Sequence, residues 1–150
     1  MQAHHEDAFR WASQCCRYNH HDAEEVLQMT YLKIAEGKAR FNERSAFKTW
    51  LFAVIRYTAL DYLKKRVRFA ALDQLPVLAE EQDSGESTLD YRRLLARLPE
   101  QQQRVLLLTF YHDMSLSEVA DVMELHIGTV RTHYSRGKDA LRTLLKKESV

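Results

Sequence analysis

Residues 115–138, SLSEVADVMELHIGTVRTHYSRGK, carry the pattern on which the fold assignment depends. Ser115 and Glu118 stand three apart just before an apolar run, which is the spacing of a capping box at a helix start. The helix that begins there is short, the turn ELH follows, and a second helix takes in the remaining residues. Ala120 is small enough for two helices to cross closely, and Val130 follows ten residues later, as in a helix-turn-helix. The predicted core of the motif comprises Val119, Met123, Leu125, Ile127, Val130 and Tyr134.

The second helix of this motif has an outward face of hydroxyl and basic side chains. With about 100° of rotation per residue and Val130 at the core, the far side contains no acid. Arg binds guanine edges and phosphates, and Thr offers a hydroxyl and a methyl group, so the face is predicted to read a DNA groove. A solvated surface helix is the alternative that this pattern alone leaves open. The face consists of Thr129, Thr132 and Arg136 at its centre and Arg131, His133 and Ser135 on its flanks.

The composition favours helices throughout the chain. Only four Gly and two Pro occur in 150 residues, and Leu, Ala, Glu, Lys, Arg and Gln dominate, so an all-α protein is expected. No apolar run reaches the length that spans a bilayer, and the opening MQAHHEDAFR lacks the apolar stretch of a signal peptide. The expected location is therefore the cytoplasm. The adjacent Cys15 and Cys16 cannot form a disulfide framework and are expected to pack inside a helix.

The net charge of +1 conceals two basic blocks on either side of an acidic strip. Residues 1–68 hold 12 Lys and Arg against 8 Asp and Glu, and residues 91–150 hold 10 against 7. The strip between them holds six acids and no base, together with Pro76 and Gly85. Basic blocks suit a polyanion such as DNA, and an acidic strip is typical of a solvated connector. The chain is therefore predicted to form two helical domains, 1–69 and 89–150, joined by a flexible linker over 70–88.

Start and stop signals place helices within each predicted domain. FRWASQCCRY forms the first, and Asp22 is placed to cap a second that ends at Gly37. After the loop ARFNERSAF, a long third helix covers 48–68, and Pro99 is expected at the first position of a helix in the second domain. The spacing of the third helix fits two apolar faces, one through Trp50, Val54 and Tyr57 and one through Leu51 and Ile55, followed by Leu60 or Leu63.

Three stretches of the chain resemble the extracytoplasmic-function (ECF) sigma factors. Residues 95–145, from LARLPEQQQRV to GKDALRTLL, resemble region 4 of that family, HDAEEVLQMTYLKI resembles region 2.2, and FNERSAFKTWLFAVIRYTALDYLKKR resembles regions 2.3 and 2.4. They occur in the family's order and cover nearly the whole chain. The resemblance implies a subunit that binds core RNA polymerase and directs it to promoters. The second domain would read the −35 element as duplex, and the first would open the −10 element and hold it as a single strand.

The resemblance also implies which residues carry these contacts. The helix from Ala23 to Ala35 would dock on the clamp helices of the largest polymerase subunit, and the free protein would be held by an anti-sigma factor. The residues implied for polymerase binding are Asp22, Glu25, Gln28 and Met29, of which Met29 replaces an acid common in relatives. Those implied for the −10 single strand are Phe41, Ser45, Ala46, Lys48, Arg56, Tyr57, Lys64 and Lys65.

Besides Met29, four positions depart from the family pattern. Tyr57 stands where relatives often carry an Asn that touches a promoter base, and a ring there is expected to stack on the strand instead. Glu124 replaces a common turn Gly, His126 a common Pro, and His133 a common Arg. A neutral His binds phosphate less strongly than Arg, so the last change is expected to weaken or retune a phosphate contact.

Enzymes, and regulators that act without polymerase, are the rival classes of function. The doublets His4-His5, Cys15-Cys16 and His20-His21 diverge by about 100° on a helix and supply no metal-ligand spacing, so no metal or cofactor is expected. No Gly-rich phosphate loop or nucleophile and base set stands out, so the protein is not expected to be an enzyme. A stand-alone helix-turn-helix regulator is the principal alternative, and an adaptor that binds polymerase without DNA is another.

Overall fold

The structure is a computed structural model that describes residues 4–73 and 92–148. The chain divides into two compact units, an N-terminal unit, Met1–Gln82, and a C-terminal unit, Asp83–Val150. Every regular element in the described ranges is helical, which confirms the predicted all-α fold class.

Within residues 4–73, the N-terminal unit contains three α-helices, namely α1 (His5–Cys15), α2 (His20–Ala35) and α3 (Phe47–Asp73). Trp11 of α1 lies fully buried, with its ring stacked on that of Phe52 at a centroid distance of 5.7 Å and an interplanar angle of 3°. Its indole Nε1 also donates a hydrogen bond to the Phe52 carbonyl at 3.0 Å. Because one side chain combines both contacts, α1 is held firmly against α3. Cys15 and Cys16 are buried, as expected.

The start of α2 differs from the prediction that Asp22 caps it. The helix begins at His20, and the capping side chain is that of Asn19, whose Oδ1 accepts a hydrogen bond from the Asp22 amide at 3.0 Å. Asn19 has the extended backbone (φ −79°, ψ 112°) that lets a cap side chain reach the third helical amide. The predicted stop is confirmed, because α2 ends at Ala35 and Gly37 has a φ of +76°.

The apolar face of α3 follows the second of the two predicted patterns. Leu51 and Ile55 are buried, whereas Tyr57 and Leu60 are exposed. The helix continues to Asp73, beyond its predicted end at 68, so residues 70–73 of the predicted linker are helical. The rest of the predicted linker lies outside the described residues.

The C-terminal unit contains four helices in the described range. They are α4 (92–96), α5 (Glu100–Leu106), α6 (Leu116–Met123) and α7 (Ile127–Glu148). Pro99 is the residue just before α5, one position earlier than predicted. A π-helical turn, Leu107–Tyr111, continues α5 and ends before His112.

Gly137 permits close contact between α5 and α7. A Cβ atom at this buried position would lie 3.1 Å from Leu106 Cδ1 and 3.3 Å from Leu106 Cγ, tighter than ordinary van der Waals contact. The absence of a side chain therefore lets α7 pack directly on the apolar end of α5.

Two features are absent from the described ranges, 4–73 and 92–148. Neither range contains a helix with both the length and the apolar character needed to cross a bilayer. Within the same ranges, no three or more His, Cys, Asp or Glu side chains group in a way that would hold a metal ion.

Candidate nucleic-acid interface

The helix-turn-helix motif is built from α6, a tight turn and the first half of α7. The predicted capping box is confirmed, since the Ser115 hydroxyl accepts from the Glu118 amide and the Glu118 carboxylate accepts from the Ser115 amide, both at 3.1 Å. Glu124 then turns the chain with a left-handed backbone (φ 54°, ψ 44°). Such a residue lets α6 end abruptly and α7 begin three residues later.

The core predicted for this motif is confirmed in part. Val119, Met123 and Val130 are buried, and the structure adds Val122, which is fully buried. Leu125, Ile127 and Tyr134 are only half-buried.

Most of the residues predicted to contact duplex DNA lie on the exposed side of α7. The side chains of Thr129, Arg131, Thr132 and Arg136 are all exposed. The Thr132 hydroxyl donates to the Gly128 carbonyl at 3.0 Å, which restricts the rotamer of this exposed side chain. Because no acid occurs between 125 and 138, the face presents only positive charge to a polyanion.

His133 lies at the edge of this face. Its side chain is half-buried, and its Nδ1 atom is buried with no hydrogen-bond partner among the described residues. Of the five residues predicted to contact the duplex, His133 is therefore the one with the least accessible side chain.

An aromatic and basic column beside the motif was not predicted from the sequence. The ring of Tyr134 stacks on Phe110 at 5.8 Å and 24°, and Lys138 Nζ lies 4.5 Å from the centroid of the same ring. Phe110 and its neighbour Tyr111 lie in the π-helical turn and are both exposed. The run VLLLTFY at 105–111 is apolar almost throughout, so its spacing does not by itself separate buried from exposed residues.

In the N-terminal unit, three rings meet where the loop after α2 joins α3. Phe41, Phe47 and Trp50, called here the aromatic cluster, form a triangle whose centroids lie 5.4 to 5.5 Å apart. Phe41 is 37% exposed, and Phe47 and Trp50 are half-buried. Trp50 thus lies at the surface of the unit rather than in its core. Two further predicted residues, Ser45 (half-buried) and Ala46 (exposed), immediately precede Phe47.

The aromatic cluster continues along one face of α3. Trp50, Tyr57 and Lys64 are seven residues apart, so successive side chains differ by only about 20° around the helix. Tyr57 is 44% exposed and Lys64 is exposed, so this α3 face carries rings at one end and a cation at the other. Two further predicted residues lie beside this face. Lys65 is exposed and lies about 100° around the helix from Lys64, and Arg56 is half-buried and lies about 100° from Tyr57 on the opposite side.

Lys48 does not lie on this α3 face. It precedes Tyr57 by nine residues, which places it about 180° away around the helix. Its Nζ lies 3.8 Å from Asp7 Oδ2 and 5.5 Å from the ring centroid of Phe52. Lys48 therefore helps to attach α1 to α3, and the structure does not bring it together with Tyr57 and Lys64.

The predicted polymerase-binding residues of α2 are divided between surface and interior. Gln28 is exposed, and Glu25 and Met29 are half-buried. Leu32, one turn after Gln28, is 57% exposed and extends the same side of the helix. The sequence signal for Leu32 is its spacing, since it follows Gln28 by four positions and so lies on the same side of the helix.

Asp22, by contrast, lies inside the N-terminal unit. Its side chain is buried, and its carboxylate accepts hydrogen bonds from Tyr62 Oη at 3.0 Å and from Arg66 Nη1. Burial, followed by the hydrogen bond and charge of Asp22, raises the pKa of Tyr62 to about 12. Asp22 is thus committed to joining α2 and α3 and does not share the exposed side of Gln28.

Comparison with known proteins decides the family. The family model for Sigma-70 region 2 matches residues 1–69, and that for Sigma-70, region 4 matches residues 88–141. The chain belongs to the ECF sigma factors. As a sigma factor it is a promoter-specificity factor associated with RNA polymerase, and a stand-alone regulator would not account for the region 2 match.

Individual relatives agree with this assignment. The chain is 24% identical over 149 residues to the RNA polymerase sigma factor SigV of Bacillus subtilis, covering 98% of this chain and 89% of SigV. It is 28% identical over 125 residues to the ECF sigma factor SigC of Mycobacterium tuberculosis, covering 79% and 68%. Among solved structures, it resembles the sigma factor RpoE of Bartonella quintana, solved with the anti-sigma factor NepR, with a TM-score of 0.76 and 24% identity. That match covers 94% of this chain and 91% of RpoE and shows a shared fold.

Proposed function

We propose that this sigma factor reads two parts of a promoter with two separate surfaces while it is bound to core RNA polymerase. The outward face of α7 binds the −35 element as duplex, and the α3 face with its aromatic cluster holds the −10 element as a single strand. The observation that carries the proposal is the presence of both surfaces in one chain. One has hydroxyl and guanidinium groups suited to groove edges, and the other has stacked rings followed by a cation.

The α7 face is suited to duplex DNA because its side chains differ in what they recognise. Arg131 and Arg136 can form bidentate hydrogen bonds with guanine or bind phosphates, whereas Thr129 and Thr132 can contact a thymine methyl or a hydrogen-bonding base edge. Neutralisation of phosphates by the arginines releases counterions, so binding falls as salt rises.

The α3 face is suited to single-stranded DNA because a ring stacks on any unpaired base. Tyr57 offers an exposed ring between the aromatic cluster and Lys64, so a strand that follows α3 meets stacking surface first and positive charge afterwards. Ser45 and Ala46 immediately precede Phe47 of the cluster, and an extruded base would bind beside them. Lys48 supports this surface by holding α1 rather than by touching the strand.

The exposed side of α2 is the surface proposed for core polymerase. Gln28, Met29 and Leu32 offer one amide and two apolar groups, a combination suited to the side of a partner helix. Glu25 lies one turn earlier and would add charge at the edge of this contact. Catalysis belongs to the polymerase, and the cytoplasm, which holds polymerase and chromosome, is where the chain would act.

We further propose that an anti-sigma factor binds the free protein. The support comes from the solved relative RpoE, which was captured in a complex with the anti-sigma factor NepR. A partner that covers the exposed side of α2 would prevent polymerase binding until it is released.

The function is tested by reconstituting holoenzyme from this chain and core polymerase and transcribing a pool of genomic fragments from the source organism. We expect run-off transcripts that depend on the chain, with permanganate-reactive thymines at the −10 element of each start site. A matched pair, Leu32→Asp on the exposed side of α2 and Leu145→Asp on the exposed end of α7, separates polymerase binding from general damage. Only the first should abolish holoenzyme assembly. Duplex binding by the isolated chain without any polymerase association would contradict the proposal and favour a stand-alone regulator.

A further inference from the structure

His4 brings a fourth ring to the aromatic cluster. Its imidazole centroid lies 5.6 Å from that of Phe47, with an interplanar angle of 42°, while Phe47 in turn contacts Phe41 and Trp50. The His4 side chain is half-buried. A residue from the start of α1 therefore borders a surface that is otherwise built from α3 and the loop before it.

Helix capping does not account for this histidine. His4 occupies the N-cap position of α1, where Ser, Thr, Asp and Asn are favoured, yet among the described residues its side chain makes no capping hydrogen bond. Ser115 at the equivalent position of α6 does cap its helix. The neighbouring His5 is also engaged elsewhere, with Nδ1 3.0 Å from the Tyr31 hydroxyl. The contact of His4 with the cluster is thus a separate feature of this position.

The position of His4 is held by contacts further along α1. Asp7, one turn later, lies near Lys48 of α3, and Trp11 is fixed to Phe52 by stacking and by a hydrogen bond. These contacts orient the first turn of α1 relative to the start of α3. The imidazole is therefore placed beside Phe47 before any ligand binds, so little ordering is needed when one arrives.

We propose that His4 contacts an unpaired base of the −10 strand and contributes to the choice of that base. The inference rests on the proposed function, because it assigns a further specificity residue to the same single-strand surface. Three apolar or largely apolar rings stack on every base alike, whereas an imidazole adds a hydrogen-bond donor and an acceptor at the edge of the cluster. The ligand class is a nucleobase extruded from single-stranded DNA, read at its polar edge.

The test uses holoenzyme and a fork promoter whose non-template −10 strand is single-stranded, with an abasic site moved through each position in turn. The promoter is one identified by the run-off experiment. With wild-type sigma, an abasic site at the base held by the cluster should weaken binding. With His4→Ala, binding of the intact fork should weaken by about 5- to 10-fold, corresponding to the loss of part of one stacked base. At that single position, removing the base should weaken binding of the variant by a smaller factor than it weakens binding of the wild type, because part of the stacking on that base is already lost.

Two further variants separate stacking from base choice. His4→Phe keeps a ring, so it should restore affinity for the intact fork while losing the preference among the four bases at that position. His5→Ala alters the adjacent histidine, whose partner is Tyr31, and should behave as wild type at every position.

The possible failures are distinct. If His4→Ala matches the wild type at every position while both bind the fork, the inference is wrong and the proposed function stands. If the variant weakens binding equally at all positions and lowers the melting temperature, His4 is only structural and the inference is also wrong. If wild-type holoenzyme does not bind the fork at all, the proposed function fails and the inference falls with it.

Discussion

Arg66 of α3 donates a hydrogen bond to the buried carboxylate of Asp22, near the start of α2. Tyr62, one turn before Arg66, donates to the other oxygen of the same carboxylate at 3.0 Å. One side chain thus joins the helix proposed to bind polymerase to the helix proposed to bind the single strand. The two surfaces are therefore held at a fixed relative orientation within the N-terminal unit.

Replacing Asp22 with Ala should destabilise the N-terminal unit by about 2 kcal/mol, because the Tyr62 hydroxyl and the Arg66 guanidinium lose a charged partner that is itself buried. Both tryptophans of the chain, Trp11 and Trp50, belong to this unit, so urea unfolding followed by their fluorescence measures the change. Glu24→Ala is the matched control. It removes an exposed acid of α2 that pairs with His20 at 2.8 Å and should cost no more than about 0.5 kcal/mol. Equal losses for the two variants would contradict a special role of Asp22.

The stability of the N-terminal unit should also depend on the ionisation of Tyr62. Its pKa is raised to about 12, first by burial and then by Asp22, so the folded state holds the phenol proton more tightly than the unfolded chain, where the pKa is about 10. The stabilising contribution is therefore complete below pH 10 and is lost as the pH rises through 12.

The measurement compares the urea midpoints of wild type and Tyr62→Phe at pH 9 and pH 12. The difference between the two proteins should shrink as the pH rises, since the Phe variant has no proton to lose at this position. A difference that stays constant over this range would show that Tyr62 does not titrate as proposed.

The features that could be predicted from the sequence depend on a few neighbouring residues. The capping box of Ser115 and Glu118 and the stop at Gly37 are local patterns whose geometry needs no other part of the chain. The spacing of apolar residues in α3 fits two alternative buried faces. Only packing against α1, where Trp11 meets Phe52, distinguishes them.

The features that the sequence did not predict depend on residues far apart in the chain or on local changes in the course of a helix. Asp22 could be assigned as a cap because acids favour helix starts, but its partners lie 40 and 44 residues away. The predicted end of α3 at 68 is too early, because the sequence FAAL at 69–72 favours a helix and α3 continues to Asp73. The contact of His4 with Phe47 spans 43 residues and has no local signal at all.

Replacing Glu124 with Gly should stabilise the helix-turn-helix motif by about 1 kcal/mol. Glu124 has a left-handed backbone, which strains a residue with a Cβ atom and suits glycine. Native-state hydrogen exchange at the Val119 and Val130 amides, which bond to Ser115 and His126, should show slower opening in the variant. Glu124→Ala is the control, because it removes the carboxylate but keeps the Cβ atom and so should gain little. Equal gains for Ala and Gly would mean that charge rather than backbone strain limits the motif.

The last prediction concerns the duplex-reading face of α7. Arg131→Ala and Arg136→Ala should each weaken binding of holoenzyme to the −35 element by about 1–3 kcal/mol if the arginine contacts a base. An arginine that contacts only a phosphate should instead lower affinity for all sequences alike and reduce the slope of log affinity against log salt by about 1. Fluorescence anisotropy with −35 duplexes at several salt concentrations, using wild-type and single-base variant sequences, distinguishes the two kinds of contact.

Arg142 provides a matched control on the same helix. It is exposed and has the same charge, but it lies six residues beyond Arg136 and beside Asp139, at 4.0 Å, which offsets its charge locally. Because α7 rises by about 1.5 Å per residue, Arg142 is about 9 Å further from the turn of the motif than Arg136. Arg142→Ala should therefore leave base preference unchanged and alter the salt dependence little. If all three substitutions had equal effects on DNA binding, the face would act as a diffuse cationic surface. If transcription by Arg131→Ala and Arg136→Ala were unchanged, the protein would be an adaptor that does not read the −35 element.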